Sequence, residues 1–246
     1  MTSPLTSDAL PCLLLAAGRG ERMRPLTDTT PKPLLQIQGK SLLQWHIEAL
    51  VAVHTNRIVI NHAWLGEQIQ LALGDGAKWG AQIQYSPEET ALETAGGIRQ
   101  AMTLLNPNPY FLVINGDVFC PGFPITAFVS RFQMHLNDGA KLLAYLALVP
   151  NPPQHPEGDF YLQGQQVSDK PITPPLQETK LTFSGIGVYH QSLFADLVVG
   201  EPAKLAPLMR SAMAKNQVFG EKYTGPWHDI GTPQRLYELN QFYDPN

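Results

Sequence analysis

At 246 residues with 43% apolar content, the chain can bury one sizeable core, and a single α/β domain over 1–246 is expected. Its net charge of −4 excludes the basic footprint of sequence-independent nucleic-acid binding, which leaves a small molecule as the favoured partner. Cys12 and Cys120 form neither a disulfide framework nor a paired Cys-x-x-Cys metal pattern, and no apolar stretch is long enough to span a membrane.

The apolar run from Leu10 to Ala17 contains Pro11 and has no basic segment before it, so it fails as a signal peptide, and a cytoplasmic protein is expected. Strands are predicted at Cys12 to Leu15, Arg57 to Asn61, Ala81 to Tyr85 and Tyr110 to Asn115. They alternate with helical periods: one capped by Ser41, then Leu65 to Leu73, Gly96 to Leu105 and Ile125 to Leu136. That order predicts a parallel sheet covered by helices. After a strand from Lys141 to Leu148, prolines, glycines and polar residues from about 150 to 180 predict a surface excursion or small hairpin that can wall a pocket. Leu181 to Tyr189 and Val218 to Tyr223 read as strands and Ala206 to Lys215 as a helix. Thr232 and Pro233 open a final helix through Phe242.

Three segments carry chemistry. Leu15-Ala16-Ala17-Gly18-Arg19-Gly20-Glu21-Arg22 leaves a buried strand for a glycine loop with basic side chains, which can face backbone N–H groups and a guanidinium fork toward phosphate. Lys32, on the proline-stiffened Pro31-Lys32-Pro33-Leu34, can add a point charge. Alone, such a loop reads equally as a turn, and it is neither a Walker A motif nor Gly-x-Gly-x-x-Gly. Asp117 ends the apolar strand Phe111 to Asn115, and Asp229 stands just ahead of the last helix; singly, each reads first as a turn or cap residue. His228 is given no role.

The loop with its Pro25-Leu26-Thr27 continuation and the Pro31-Lys32-Pro33-Leu34 segment resembles the signature of the sugar-1-phosphate nucleotidyltransferases. The resemblance reaches from Leu13 to about Phe242. It implies a doubly wound, mainly parallel mixed sheet of Rossmann-like type, with a small antiparallel excursion on the sugar side. It also implies nucleotide binding by Gly18, Gly20, Glu21, Arg22 and Lys32, with Arg22 and Lys32 catalytic, and a Mg2+ held by Asp117 and Asp229. Tyr85 to Gly97 resembles the segment that reads the base, through backbone groups near Glu89 and a helix N-terminus that Gly96 and Gly97 let approach the ligand. Ser168-Asp169-Lys170-Pro171 and Phe183-Ser184-Gly185 resemble the sugar side, so Lys170 and Gly185, with Asn115, are expected at the sugar phosphate.

Asn61-His62-Ala63-Trp64-Leu65-Gly66 and Tyr85-Ser86-Pro87-Glu88 incline the resemblance toward members that use UTP and N-acetylmuramic acid 1-phosphate in peptidoglycan recycling. Such a substrate predicts a cationic sugar-side pocket. Mannose-1-phosphate guanylyltransferase, glucose-1-phosphate uridylyl- or thymidylyltransferase, and a noncatalytic sugar-nucleotide sensor remain rivals.

Overall fold

The structure is a computed structural model, described for residues 10–105, 108–171 and 180–243. Strand β1 (Cys12–Leu15) leads through the glycine loop and a short hairpin, β2 (Gln36–Ile37) and β3 (Lys40–Ser41), into α1 (Leu42–Ala52). Then follow β4 (Arg57–His62), α2 (Gly66–Leu73), β5 (Gln82–Pro87), α3 (Glu93–Leu105), β6 (Tyr110–Asn115), β7 (Val118–Phe119), α4 (Ile125–Asn137) and β8 (Ala144–Val149). The second half holds β9 (Tyr161–Gln163), β10 (Gln166–Ser168), β11 (Thr182–His190), α5 (Leu205–Met213), β12 (Val218–Lys222), β13 (His228–Asp229) and α6 (Pro233–Phe242).

One nine-stranded sheet runs β5-β4-β1-β6-β11-β8-β12-β10-β9. The pairings set β11 and β10 antiparallel to their neighbours, while β5, β4, β1, β6, β8, β12 and β9 share one direction. The expected mainly parallel mixed sheet is therefore present. Its antiparallel strand β11 lies in the middle, between β6 and β8, and not only in the excursion. The expected hairpin exists as β9 and β10, joined to the sheet edge through β12; residues 172–179 of that excursion lie outside the described residues.

Period-two alternation divides the strands between two cores. Cys12, Leu14, Ile58, Ile60, Leu112 and Ile114 pack with side chains of α1, α2 and α4 on one face. Leu13, Val59 and Val113 pack with Ala95, Ile98 and Ala101 of α3 and Met209 and Ala212 of α5 on the other. A third, smaller cluster gathers Met23, Phe119, Ile230 and Leu236. Met23, Phe119 and Ile230 follow or closely neighbour Arg22, Asp117 and Asp229, and Leu236 adds α6, so this cluster sets three loops against one another. Among the described residues no helix is long and apolar enough to cross a membrane.

Candidate active site

The chain passes from β1 to β4 on one side and later places β6 on the other, so a crevice opens where the strand order reverses, beyond the carboxyl ends of the strands. Leu15 pairs in register with Asn61 and with Asn115, and these strand ends floor a cleft of about 440 Å3. Gly18, Gly20, Glu21, Arg22 and Lys32 line it with Asn61, Glu88, Asn115 and Asp117.

The loop is held from outside. Thr27 Oγ1 donates to the Gly20 carbonyl at 2.9 Å, and Trp64 Nε1 donates to the Thr27 carbonyl at 3.0 Å. The Arg19 guanidinium lies 4.4 Å from the Trp64 ring centroid. Gly20 takes φ +69°, and a Cβ there would come within 3.1 Å of the Lys32 Cβ, so glycine is required both by conformation and by space. Gly18 borders open space. Glu21 reaches the cleft but pairs with Arg19 at 2.9 Å, which binds the loop to itself. Arg22 has no ion-pair partner among the described residues, so its guanidinium is available to an anion.

Lys32 is only 8% exposed, and its Nζ donates to Asp117 Oδ2 at 2.5 Å. Antiparallel pairing of β7 with β13 brings Val118 opposite Asp229, and Ile230 N–H donates to the Asp117 carbonyl at 2.9 Å. The two candidate metal aspartates thus stand on adjoining chain segments. Asp117 lines the glycine-loop cleft, whereas Asp229 accepts from Arg235 Nη1 at 2.7 Å and Gln154 Nε2 at 2.5 Å and lines a neighbouring cleft. Both carboxylates are oxygen donors of the kind a hard divalent cation takes, yet each is paired here with a cationic side chain, Asp117 with Lys32 and Asp229 with Arg235, and a shared ion would have to displace those partners. Behind them His46 is buried, and desolvation brings its pKa down to about 4 against smaller opposing effects of the Val118 backbone and Asp117. A neutral imidazole therefore supports this corner.

The segment between β5 and α3 borders the cleft through Glu88 and Ala91, on either side of Glu89. Glu89 is exposed and lies outside the cleft lining; Glu88 is the buried one. Ala16 N–H donates to Asn61 Oδ1 at 2.7 Å, Asn61 Nδ2 to Glu88 Oε1 at 2.6 Å, and Leu92 N–H to Glu88 Oε2 at 2.9 Å. Burial raises the Glu88 pKa, with the bonds from Leu92 and Asn61 opposing it. This chain of bonds joins the glycine loop to the segment between β5 and α3. Sequence reasoning quoted Asn61 and Glu88 for a pattern and gave them no role; an amide at the end of an apolar strand was the available signal.

Gly96 is also corrected. The Ala203 carbonyl accepts from Ala95 N–H at 2.9 Å and Gly96 N–H at 3.2 Å, and a Cβ on Gly96 would lie 2.5 Å from the Glu201 carbonyl oxygen. The absent side chain admits protein backbone, and the Ala95 and Gly96 N–H groups are taken by protein, while Glu93 and Thr94 at the start of α3 border the cleft. Gly97 likewise makes room for Glu88 and Asn61.

Beyond Glu93, Thr94 and Asn115, which border both spaces, a second cavity of about 350 Å3 is walled by Phe160, Phe183 and Tyr189 with Asp159 and Lys204. Asn115 lines both cavities. Gly185 is not a wall: at φ +79° its Cβ would meet the Asn115 side chain at 2.7 Å, so it seats that asparagine. Lys170 is exposed after β10 and lines neither cavity. The expected cationic pocket is not found: the charged side chains lining the second cavity are two acids, Glu93 and Asp159, and one base, Lys204.

Residues 12–246 match the family model described as Nucleotidyl transferase. Over 228 residues, 92% of this chain and 95% of the other, the sequence is 50% identical to the N-acetylmuramate alpha-1-phosphate uridylyltransferase of Neisseria meningitidis serogroup B. It is 30% identical over 90% of its length to the mannose-1-phosphate guanylyltransferase catalytic subunit beta of Drosophila pseudoobscura pseudoobscura, spanning 59% of that longer protein. The fold matches, at TM-score 0.80, 21% identity and 97% coverage of both chains, a crystal structure from Bacillus anthracis proposed as a glucose-1-phosphate thymidylyltransferase. With the family model spanning residues 12–246, the chain belongs to the nucleotidyl transferase family.

Proposed function

We propose that the protein transfers UMP from UTP to N-acetylmuramic acid 1-phosphate, giving UDP-N-acetylmuramic acid and pyrophosphate, in the cytoplasm and in the service of peptidoglycan recycling. The observation that carries the transfer chemistry is Lys32, held against Asp117 at the floor of the glycine-loop cleft. The choice of base and sugar rests on the 50% identity to the Neisseria uridylyltransferase over nearly the whole of both chains.

A phosphate oxygen of the sugar phosphate attacks the α-phosphorus of UTP; the bond from that phosphorus to the oxygen bridging to the β-phosphate breaks, and pyrophosphate leaves with the electron pair. The nucleophile is already anionic, so positioning and charge neutralisation replace general-base work. The loop N–H groups and Arg22 receive the triphosphate, and Lys32 opposes the charge gathering at the reacting phosphorus. The Ala16–Asn61–Glu88 chain holds the base-side wall at a fixed distance from the loop. Asn115, seated by Gly185, stands between the two cavities to orient the acceptor. Asp117 and Asp229 would hold a magnesium ion, which supplies neutralisation of phosphate charge when bound.

Pyrophosphate release tests this directly. UTP, GTP, CTP, ATP and dTTP are crossed with the 1-phosphates of N-acetylmuramic acid, N-acetylglucosamine, glucose and mannose, with and without magnesium. Turnover confined to UTP with N-acetylmuramic acid 1-phosphate is expected. A different preferred pair discards the muramate reading and keeps the transfer; silence throughout favours a binding protein.

A further inference from the structure

The second cavity brings three charged side chains together, and only one is a free cation. Asp159 is engaged: its Oδ2 accepts Phe183 N–H at 2.8 Å and its Oδ1 meets His155 Nε2 at 3.1 Å. Glu93 stands at the joint with the nucleotide cleft, in left-handed backbone at φ +59°. Lys204 has no hydrogen bond or ion pair among the described residues, and it lines the cavity beside Leu205 and Ala206.

Lys204 is also fixed in place by its neighbour. Ala203 N–H donates to the Leu92 carbonyl at 3.0 Å, while its own carbonyl takes Ala95 and Gly96 N–H. The segment bearing the lysine is thereby bonded through its backbone to the start of α3. As the N-cap of the nine-residue α5, whose first turn has no side-chain cap, Lys204 adds positive charge where the helix already presents it. Neither Asp159 nor Glu93 is paired with Lys204, so the ammonium charge is left for an anion of the ligand.

We propose that Lys204 receives the lactyl carboxylate of the acceptor sugar, and so separates N-acetylmuramic acid 1-phosphate from N-acetylglucosamine 1-phosphate, which lacks that ether. This rests on the muramate reading above and names the group within the same site that recognises the substrate's distinguishing charge. Lys204 is a specificity residue, since it touches no reacting atom.

The test compares kcat/KM for the two sugar phosphates, at saturating UTP, in the unaltered protein, Lys204→Gln and Lys204→Arg. In Lys204→Gln the preference for the lactyl-bearing sugar falls about tenfold or more, the scale of one hydrogen bond to a charged group, chiefly through KM. Lys204→Arg recovers most of it, and raising the salt erodes it in the unaltered protein. Equal losses for both sugars assign Lys204 to the shared phosphate or to the fold and overturn the proposal, as does an unchanged ratio. Unaltered protein that ignores N-acetylmuramic acid 1-phosphate, while another pair releases pyrophosphate, fails the muramate reading itself and takes this inference with it. Melting curves of each variant, and the arginine variant above all, keep a folding defect from passing as lost recognition.

Discussion

Lysine is seldom buried without a partner, and Lys32 meets that condition through Asp117, whose own side chain is 39% exposed. The asymmetry separates function from stability. Lys32→Ala leaves a carboxylate that water can still reach, so the melting temperature should move little, while turnover falls by about 100- to 1,000-fold, as for loss of one preorganised charge-stabilising donor. Pyrophosphate release and a thermal melt on the same preparation check this; parallel loss in both would remove Lys32 from the chemistry. Glu88 runs the other way, with its effect in stability. Burial raises its pKa above the ordinary 4.5, so the folded chain holds that proton more tightly than the unfolded chain. The carboxyl therefore contributes stability below pH 4.5 that is lost as pH rises through the folded value. Glu88→Gln should flatten that decline in urea titrations across acid to neutral pH. It should also cost about 1–3 kcal/mol, because an amide must turn a donor toward Asn61 Nδ2 or Leu92 N–H. A variant with the same pH slope as the parent would deny the raised pKa.

At the scale of elements, the start of α3 is one that the sequence misplaced. Its predicted opening at Gly96 falls three residues inside the observed Glu93–Leu105, because the helix is closed by backbone more than a hundred positions later, which no local cap signal encodes. Gly97→Ala would set a Cβ 2.5 Å from Glu88 Oε1 and 2.7 Å from Asn61 Nδ2. A buried hydrogen-bonded pair cannot retreat freely, so about 1–3 kcal/mol of stability should be lost and the KM for nucleotide should rise with the displaced Asn61. Unaltered urea midpoint and KM together would show that the pair can yield. The strands β1, β4 and β6 were legible because both faces are apolar and their ends abut turn residues, and α1 because Ser41 Oγ does accept Gln44 N–H, at 3.1 Å. The two-residue strands β7 and β13 carry no periodicity to read, yet they join the aspartates. Likewise, which of two adjacent glutamates turns inward is decided by Asn61 across the sheet, so the sequence pattern pointed to Glu89 where the fold buried Glu88.

Over the whole molecule, the sheet separates two large cores and leaves its carboxyl edge to the ligands, with Met23, Phe119 and Ile230 fastening the loops from behind. A scaffold so divided predicts that substrate binding consolidates existing structure. UTP at a hundred times its dissociation constant should add about 2.7 kcal/mol to unfolding, read as a shift in urea midpoint, and a nucleotide that does not bind should add none. The Ala203 peptide gives this a further consequence. One peptide group is bonded to the start of α3 beside the glycine-loop cleft and, through the next residue, to the wall of the second cavity. Whichever substrate arrives first restrains that joint and meets the cost of its lost motion, so the second binds to a partner already ordered. The two dissociation constants should then be linked by a single reciprocal factor. Titrating a nonhydrolysable UTP analogue with and without sugar phosphate, and the sugar phosphate with and without the analogue, should return that factor twice. A factor of one in both directions would mean that the shared peptide transmits nothing.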